Sequence, residues 1–229
     1  MNKQDLYTAV NSYAPYETAE PWDCSGWIVD NSTNNVNRVM LCLTVTDGIV
    51  EQAVKNGCDM IISHHPLFYV PIKYKNINIL CAHTNLDKAE GGTTDRLIEI
   101  LGLPKGEHVG EFLRICEFKT TVKDLSDVLS NVSGNLRLVN NKNINEIHKI
   151  AFCAGSGSEF INEAKENGSD AIVTGDVKFH TALESEIVIF DIGHFESEIP
   201  VLKVFEELIN DKIEVIYAKE NSPFIQIKS

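Results

Sequence analysis

Two adjacent histidines, His64 and His65, close the apolar run of "IISHHPLFYV" (61 to 70), and a proline follows at once. Two more segments set a histidine four residues ahead of an acid at the end of an apolar run. They are His83 and Asp87 in "HTNLD" after "INILCA", and His194 and Glu198 in "HFESE" after "IVIFDIG". Gly175 and Asp176 follow a further such run, "DAIVT". Imidazole together with carboxylate suits zinc, manganese, iron or nickel better than calcium or magnesium, and carboxylates can bridge two ions ~3.5–4 Å apart. Adjacent side chains of an extended segment leave on opposite sides, so His64 and His65 are expected to splay and to serve two ions rather than one. Pro66 halts the hydrogen-bond ladder there and biases His65 away from helix. One histidine after a strand is ordinarily a loop or core side chain; the combination of all these segments is what points to a dinuclear metal centre.

The elements that must position these residues alternate between strand and helix. "VMLCLTV" (39 to 45) reads as a strand, followed by a helix capped by Asp47 with Ile49, Val50, Ala53 and Val54 on one face. "NG" at 56 and 57 ends that helix, and "DMIIS" (59 to 63) is the next strand, which makes a βαβ unit. The plan returns as "KIAFCA" (149 to 154), a helix capped near Ser158, "NG" at 167 and 168, and "DAIVT" (170 to 174). A shift of 111 residues superimposes the two halves without a gap, matching Cys42 with Cys153, Gly57 with Gly168 and Asp59 with Asp170. The same shift carries His83 onto His194 and Asp87 onto Glu198.

The sequence therefore predicts an α/β fold of two similar lobes, with strands in parallel, packed face to face around a metal site. Residues 1–102 form the first lobe, 149–229 the second, and 103–148 a joining β-α-β segment whose helix carries Thr121 and Asp124 as a capping box. In parallel sheets, ligand-binding groups collect beyond the carboxyl ends of strands, which is where all the candidate residues fall. "AGSGSEF" (154 to 160) reads as a tight turn: it has neither the third glycine of a dinucleotide fingerprint nor the lysine of a P-loop.

The formal net charge of −13 over 229 residues disfavours binding to nucleic acid or to an anionic membrane, since both depend on many Lys and Arg facing phosphates. A small molecule and cations are the expected partners. No apolar run reaches the roughly 20 residues of a membrane helix and no leader pattern opens the chain, so a cytoplasmic location is expected. The six cysteines form no C-x-x-C pair and read as reduced core residues.

"WDCSGW", "ISHHPLF", "HTNLD", "TGDVKFH" and "GHFESE", in that order from about residue 20 to 200, resemble the Nif-three-like proteins, also labelled GTP cyclohydrolase 1 type 2 homologues. The resemblance implies two similar α/β lobes, two divalent metal ions per chain and a toroidal homohexamer. Carried over motif by motif, it implies that His64, His65, Asp87, His194 and Glu198 are the metal ligands. Asp176 and His180 match positions near the metals, as proton movers or orienting groups. The sequence departs from the family pattern at "DCSGW" (23 to 27), at Thr44 and at "GGTTD" (91 to 95). These loops are the expected pocket walls, so substrate preference is where the departures bear.

Three functions fit these readings. The first is a metal-dependent hydrolase, GTP cyclohydrolase-like by resemblance, in which the ions activate water and His180 or Asp176 moves protons. The second is a non-catalytic metal-binding regulator or scaffold. The third, a mononuclear iron oxygenase with two histidines and one carboxylate, leaves a histidine and an acid unexplained.

Overall fold

The structure, a computed structural model, describes residues 1–209 and 213–225. Its strands run β1 (Gly26–Val29), β2 (Arg38–Cys42), β3 (Met60–Ser63), β4 (Asn78–Cys81), β5 (Glu107–Val109), β6 (Leu113–Thr121), β7 (Arg137–Val139), β8 (Glu146–Phe152), β9 (Ala171–Thr174), β10 (Val188–Asp191) and β11 (Glu214–Tyr217). Its helices are α1 (Lys3–Tyr13), α2 (Asp47–Lys55), α3 (Thr84–Lys88), α4 (Thr93–Ile100), α5 (Val122–Leu129), α6 (Ile161–Glu166), α7 (Phe179–Glu184), α8 (His194–Glu198) and α9 (Leu202–Leu208). No described helix is long and apolar enough to cross a membrane.

The chain divides into two compact units, Met1–Gly92 with Val201–Asn221, and Thr93–Pro200 with the described residues from Ser222. The first carries a five-stranded sheet in the order β1-β4-β3-β2-β11. Its strands β4, β3, β2 and β11 are parallel and β1 is antiparallel at the edge. The second carries a six-stranded sheet, β5-β6-β8-β9-β10-β7, with β8, β9 and β10 parallel, β6 and β7 antiparallel on either side of them, and β5 antiparallel to β6 at the edge. Strands covered on both faces need apolar residues at every position, which explains the unbroken runs. In β8, Ile150 and Phe152 enter one core, with Val173 and Phe190, while Ala151 enters the other, with Ile172 and Ile189.

The units differ from the expected lobes in three respects, the first being that residues 93–102, with α4, belong to the second unit. Residues 201–221 join the first unit rather than the second, because β11 pairs with β2 from Glu214↔Arg38 to Tyr217↔Leu41 and α9 packs on β2 and α1. An unpaired β2 would present an open row of backbone donors and acceptors, and β11 covers it. The segment 103–148 is no separate joiner: β6 pairs with β8 and β7 with β10, inside the second sheet.

The internal repeat extends to hydrogen bonds. Asp59 Oδ2 accepts from Asn37 N at 2.8 Å and Arg38 N at 3.2 Å, and Asp170 Oδ2 accepts from His148 N at 2.7 Å and Lys149 N at 3.1 Å, all displaced by the same shift. Gly57 (φ 64°) and Gly168 (φ 79°) close the equivalent helices α2 and α6. The register changes at the third strand. Ser63 pairs with Cys81 whereas Thr174 pairs with Asp191, so the shift is 110 residues in β4 and β10. Hence His83 corresponds to Gly193, each the N-cap of its helix, and not to His194. Gly193 turns there at φ 91°, a conformation a side chain resists, and a Cβ on it would lie 2.3 Å from Glu196 Oε2.

Local caps are partly as expected. α2 is capped by Thr46, whose hydroxyl accepts from Ile49 N at 3.3 Å, and Asp47 sits in the first turn instead, where its charge suits the helix dipole. The turn at Ser158 opens with a short 3₁₀ segment and no side-chain cap. Thr121 does cap α5, accepting from Asp124 N at 3.0 Å. Thr121→Ala is expected to lower stability by about 1 kcal/mol in urea denaturation; an unchanged midpoint would show the cap to be idle. Cys42, Cys81, Cys116 and Cys153 are buried and Cys58 half-buried, but Cys24 is exposed, since it lies in a loop before β1 rather than in an apolar run.

Candidate functional site

In the first unit the ladder from β3 to β2 continues past the strand's end: His64 N donates to Cys42 O at 3.2 Å and His65 N to Leu43 O at 2.8 Å. Pro66 has no N–H to carry it further. The His64 ring is fully buried, its Nδ1 2.9 Å from Ala82 O. A carbonyl oxygen only accepts, so Nδ1 carries a proton, and in the neutral ring Nε2 is the atom left with a lone pair. That Nε2 faces Asp87 Oδ1 at 3.4 Å. Thr44 Oγ1 meets His65 Nδ1 at 2.6 Å.

The two rings do not splay apart as expected: their centroids are 5.3 Å apart, because both histidines lie beyond Ser63, where strand alternation no longer holds. His83 joins them, 5.2 Å from His64 and 5.7 Å from His65. One ring nitrogen from each of the three lies within 4.8 Å of the others, a set that could hold a metal ion.

Asp23 organises this corner and was not singled out by the sequence reading, although "WDCSGW" contains it. Its buried carboxylate accepts from Ser25 Oγ at 2.8 Å, Thr84 N at 3.1 Å and Thr84 Oγ1 at 2.5 Å, and meets His83 Nδ1 at 3.2 Å. Burial alone would raise its pKa; the hydrogen bonds from His83, Thr84 and Ser25 and the nearby imidazole outweigh that and hold the carboxyl well below the ordinary range.

In the second unit His194 stands between two carboxylates, Nδ1 2.7 Å from Asp176 Oδ2 and Nε2 2.9 Å from Glu198 Oε2. Glu198 is one helical turn on, which is why the four-residue spacing brings them together. Its side chain is buried and lies against Gly155, where a Cβ would be 2.0 Å from Glu198 Oε1. The turn "AGSGSEF" thus has a second purpose that spacing could not reveal: its first glycine makes room for the carboxylate. Asp176 reaches His194 from a left-handed backbone at φ 55°. The ring with a carboxylate on Nδ1 matches the usual support of a metal-binding histidine.

Burial lowers the pKa of His194, but the bonds and charges of Glu198 and Asp176 overcome this and push it up to about 9 from 6.5. A raised histidine pKa stabilises the fold fully below about pH 6.5 and loses that contribution as pH rises through about 9. Metal-stripped protein is therefore expected to lose stability on going from about pH 7 to about pH 10 in urea titrations, with a flatter profile for His194→Gln. Parallel profiles would refute it.

His180 stands elsewhere. It is exposed on the first turn of α7, its ring edge-on to Phe179 at 5.3 Å, and it lines a cavity of about 300 Å³ with Ser158, Lys165 and Glu184. Asp176 and His194 line a different cavity of about 410 Å³, with Asn135, Leu136, Arg137 and Phe224.

The Duf34/NIF3 (NGG1p interacting factor 3) family model matches residues 1–227. A Clostridium perfringens protein named GTP cyclohydrolase 1 type 2 homolog is 32% identical, the alignment covering 98% of this chain and 99% of that one. A Helicobacter pylori protein named GTP cyclohydrolase 1 type 2 is 28% identical over 90% of this chain and 91% of its own. A crystal structure of a hypothetical protein of Staphylococcus aureus superimposes with a TM-score of 0.86 at 24% identity, covering 99% of both chains.

Proposed function

The chain belongs to the Duf34/NIF3 family, and from that membership we propose that it is a dinuclear metal-dependent hydrolase acting on a nucleotide or a related small molecule. In this proposal the metal ligands are His64, His65 and Asp87 in the first unit and His194 and Glu198 in the second, for divalent ions drawn from zinc, manganese, iron and nickel. The observation that carries it is that these imidazoles are already steered from behind: His64 by Ala82 O, His65 by Thr44 and His194 by Asp176. A histidine that merely satisfies a loop needs no such backing.

Bound ions supply Lewis acidity, bringing the pKa of water toward ~7 and polarising the bond under attack. The chain's own groups do the rest. Ala82 O keeps the proton of His64 on Nδ1 and Asp176 Oδ2 keeps that of His194 on Nδ1, so that each Nε2 is available as a donor. Asp176, partly open to solvent, is also the group suited to take up a proton during hydrolysis; His180, in its separate cavity, is not assigned that work. The cavity beside His194 offers the substrate an apolar wall from Leu136 and Phe224, while Arg137 in its lining is ion-paired with Asp191. With a net charge of −13, the protein draws in an anionic nucleotide through its metals.

The name of the H. pylori relative makes GTP the first substrate to test, by hydrolytic opening at C8 of guanine. Assembly as a toroidal homohexamer belongs to the same proposal, and light scattering checks it. The decisive experiment is to purify the protein without chelator, count metals per chain by elemental analysis, and incubate the metal-loaded protein with a nucleotide panel that includes GTP. Metal near two per chain with turnover supports the proposal. Metal without turnover of any nucleotide makes the protein a binding scaffold, and a count near zero after reconstitution removes the centre altogether.

A further inference from the structure

The last described stretch of the first unit is fastened to the site by an unusual set of bonds. Because β11 runs parallel to β2, its carboxyl end arrives beside the carboxyl end of β2, where His64 and His65 begin. Ala218 N donates to Leu41 O at 2.9 Å. Gln52 of α2 then clamps the next residue from both sides, Nε2 donating to Lys219 O at 3.1 Å and Oε1 accepting from Lys219 N at 2.9 Å. The residue so delivered is Glu220, half-buried, whose Oε1 accepts from Leu43 N at 2.6 Å and Oε2 from Thr44 N at 3.3 Å.

Both carboxylate oxygens are thus engaged by successive N–H groups just beyond β2, where the ladder with β11 has ended. The same two residues hold His65, Leu43 through its carbonyl on His65 N at 2.8 Å and Thr44 through its hydroxyl on the ring Nδ1 at 2.6 Å. Leu43 and Thr44 form a short bridge with Glu220 on one side and His65 on the other. Burial pushes the Glu220 carboxyl up, opposed by the two N–H groups and by the nearby His65. A charge kept at a costly place needs a reason, and a tail that only had to cover an edge would not require a carboxylate there.

We infer that Glu220 is a positioning residue for His65: through Leu43 and Thr44 it sets the direction and tautomer in which that ring meets a metal ion. The inference rests on the reading of His65 as a metal ligand. A neutral Nδ1–H donated to the Thr44 oxygen leaves Nε2 as the metal-facing atom, and slackening the 43–44 bridge releases that choice.

The test compares Glu220→Ala, Glu220→Gln and Arg38→Ala in the full chain. Arg38 bonds Glu214 at the opposite end of the same β2 and β11 pair, Nε to Oε2 at 2.8 Å, so its loss loosens the sheet edge without touching the bridge. Cobalt(II) titration with absorption spectroscopy reads affinity and ligand field. Glu220→Ala is expected to weaken one of the two ions about 10–100-fold and to alter its visible bands. Glu220→Gln, which keeps an oxygen for Leu43 N, is expected to recover most of that loss, and Arg38→Ala to leave the spectrum unchanged.

A wild-type spectrum and affinity in Glu220→Ala, or an equal loss in Arg38→Ala, overturns the inference. A wild-type protein that binds no cobalt defeats the metal proposal instead. Imidazole nitrogen NMR of the metal-free protein then decides the present point, since Glu220→Ala must change the tautomer balance of His65, and an unchanged His65 pattern refutes it.

Discussion

Glu198→Ala is expected, if the proposed centre holds two ions per chain, to bring the metal content to one or none, and to lower any hydrolytic rate on the order of 10³-fold. The carboxylate is buried, lies 2.9 Å from His194 Nε2, and rests in a space that Gly155 leaves open for it. Its removal takes a proposed metal donor from the second unit and leaves His194 with Asp176 alone of the two carboxylates. The His194 pKa should then fall from about 9 back toward 6.5, which proton titration by NMR can follow in the metal-free protein. Glu198→Gln keeps the shape and removes the charge, so it should lose metal nearly as fully. An undiminished metal count in both variants would exclude Glu198 as a ligand.

Gly155→Ala should be a damaging one-carbon change in the second unit. The backbone there has φ 69°, which costs a non-glycine residue about 1–2 kcal/mol by itself. The new Cβ would also meet Glu198 Oε1 at 2.0 Å and Cδ at 3.0 Å, so the carboxylate must leave its place. A loss of about 2 kcal/mol or more in denaturant unfolding is expected, together with a fall in metal affinity of at least ~10-fold. Gly168→Ala, also at positive φ (79°) and with nothing within 4 Å of its Cβ, is the matched control and should leave metal binding intact. Equal behaviour of the two variants would mean that the cradle around Glu198 is not as described.

What the sequence determined on its own is what short-range physics governs. Unbroken apolar runs with both faces covered defined β2, β3, β8 and β9. Asn-Gly pairs defined the ends of α2 and α6, and a spacing of four placed His194 and Glu198 on one helical turn. Repetition of the pattern made the two-sheet α/β plan legible, as did the ordered motifs that mark the family.

Tertiary structure decided the rest, because those choices depend on partners distant in the chain. Strand β11 has no local signal for the sheet it joins; it lies on β2 because that edge needs covering. The slip of one residue at Gly193 follows from strand register and is invisible to a gapless comparison. The work of Asp23 on His83, of Gly155 beneath Glu198 and of Glu220 behind Thr44 is written in contacts that only folding creates. His180 shows the converse: it stands in a motif beside Asp176, yet α7 turns it toward a separate cavity. Spacing along a chain specifies what a residue can reach within a turn or a strand, and packing alone specifies which distant groups it meets.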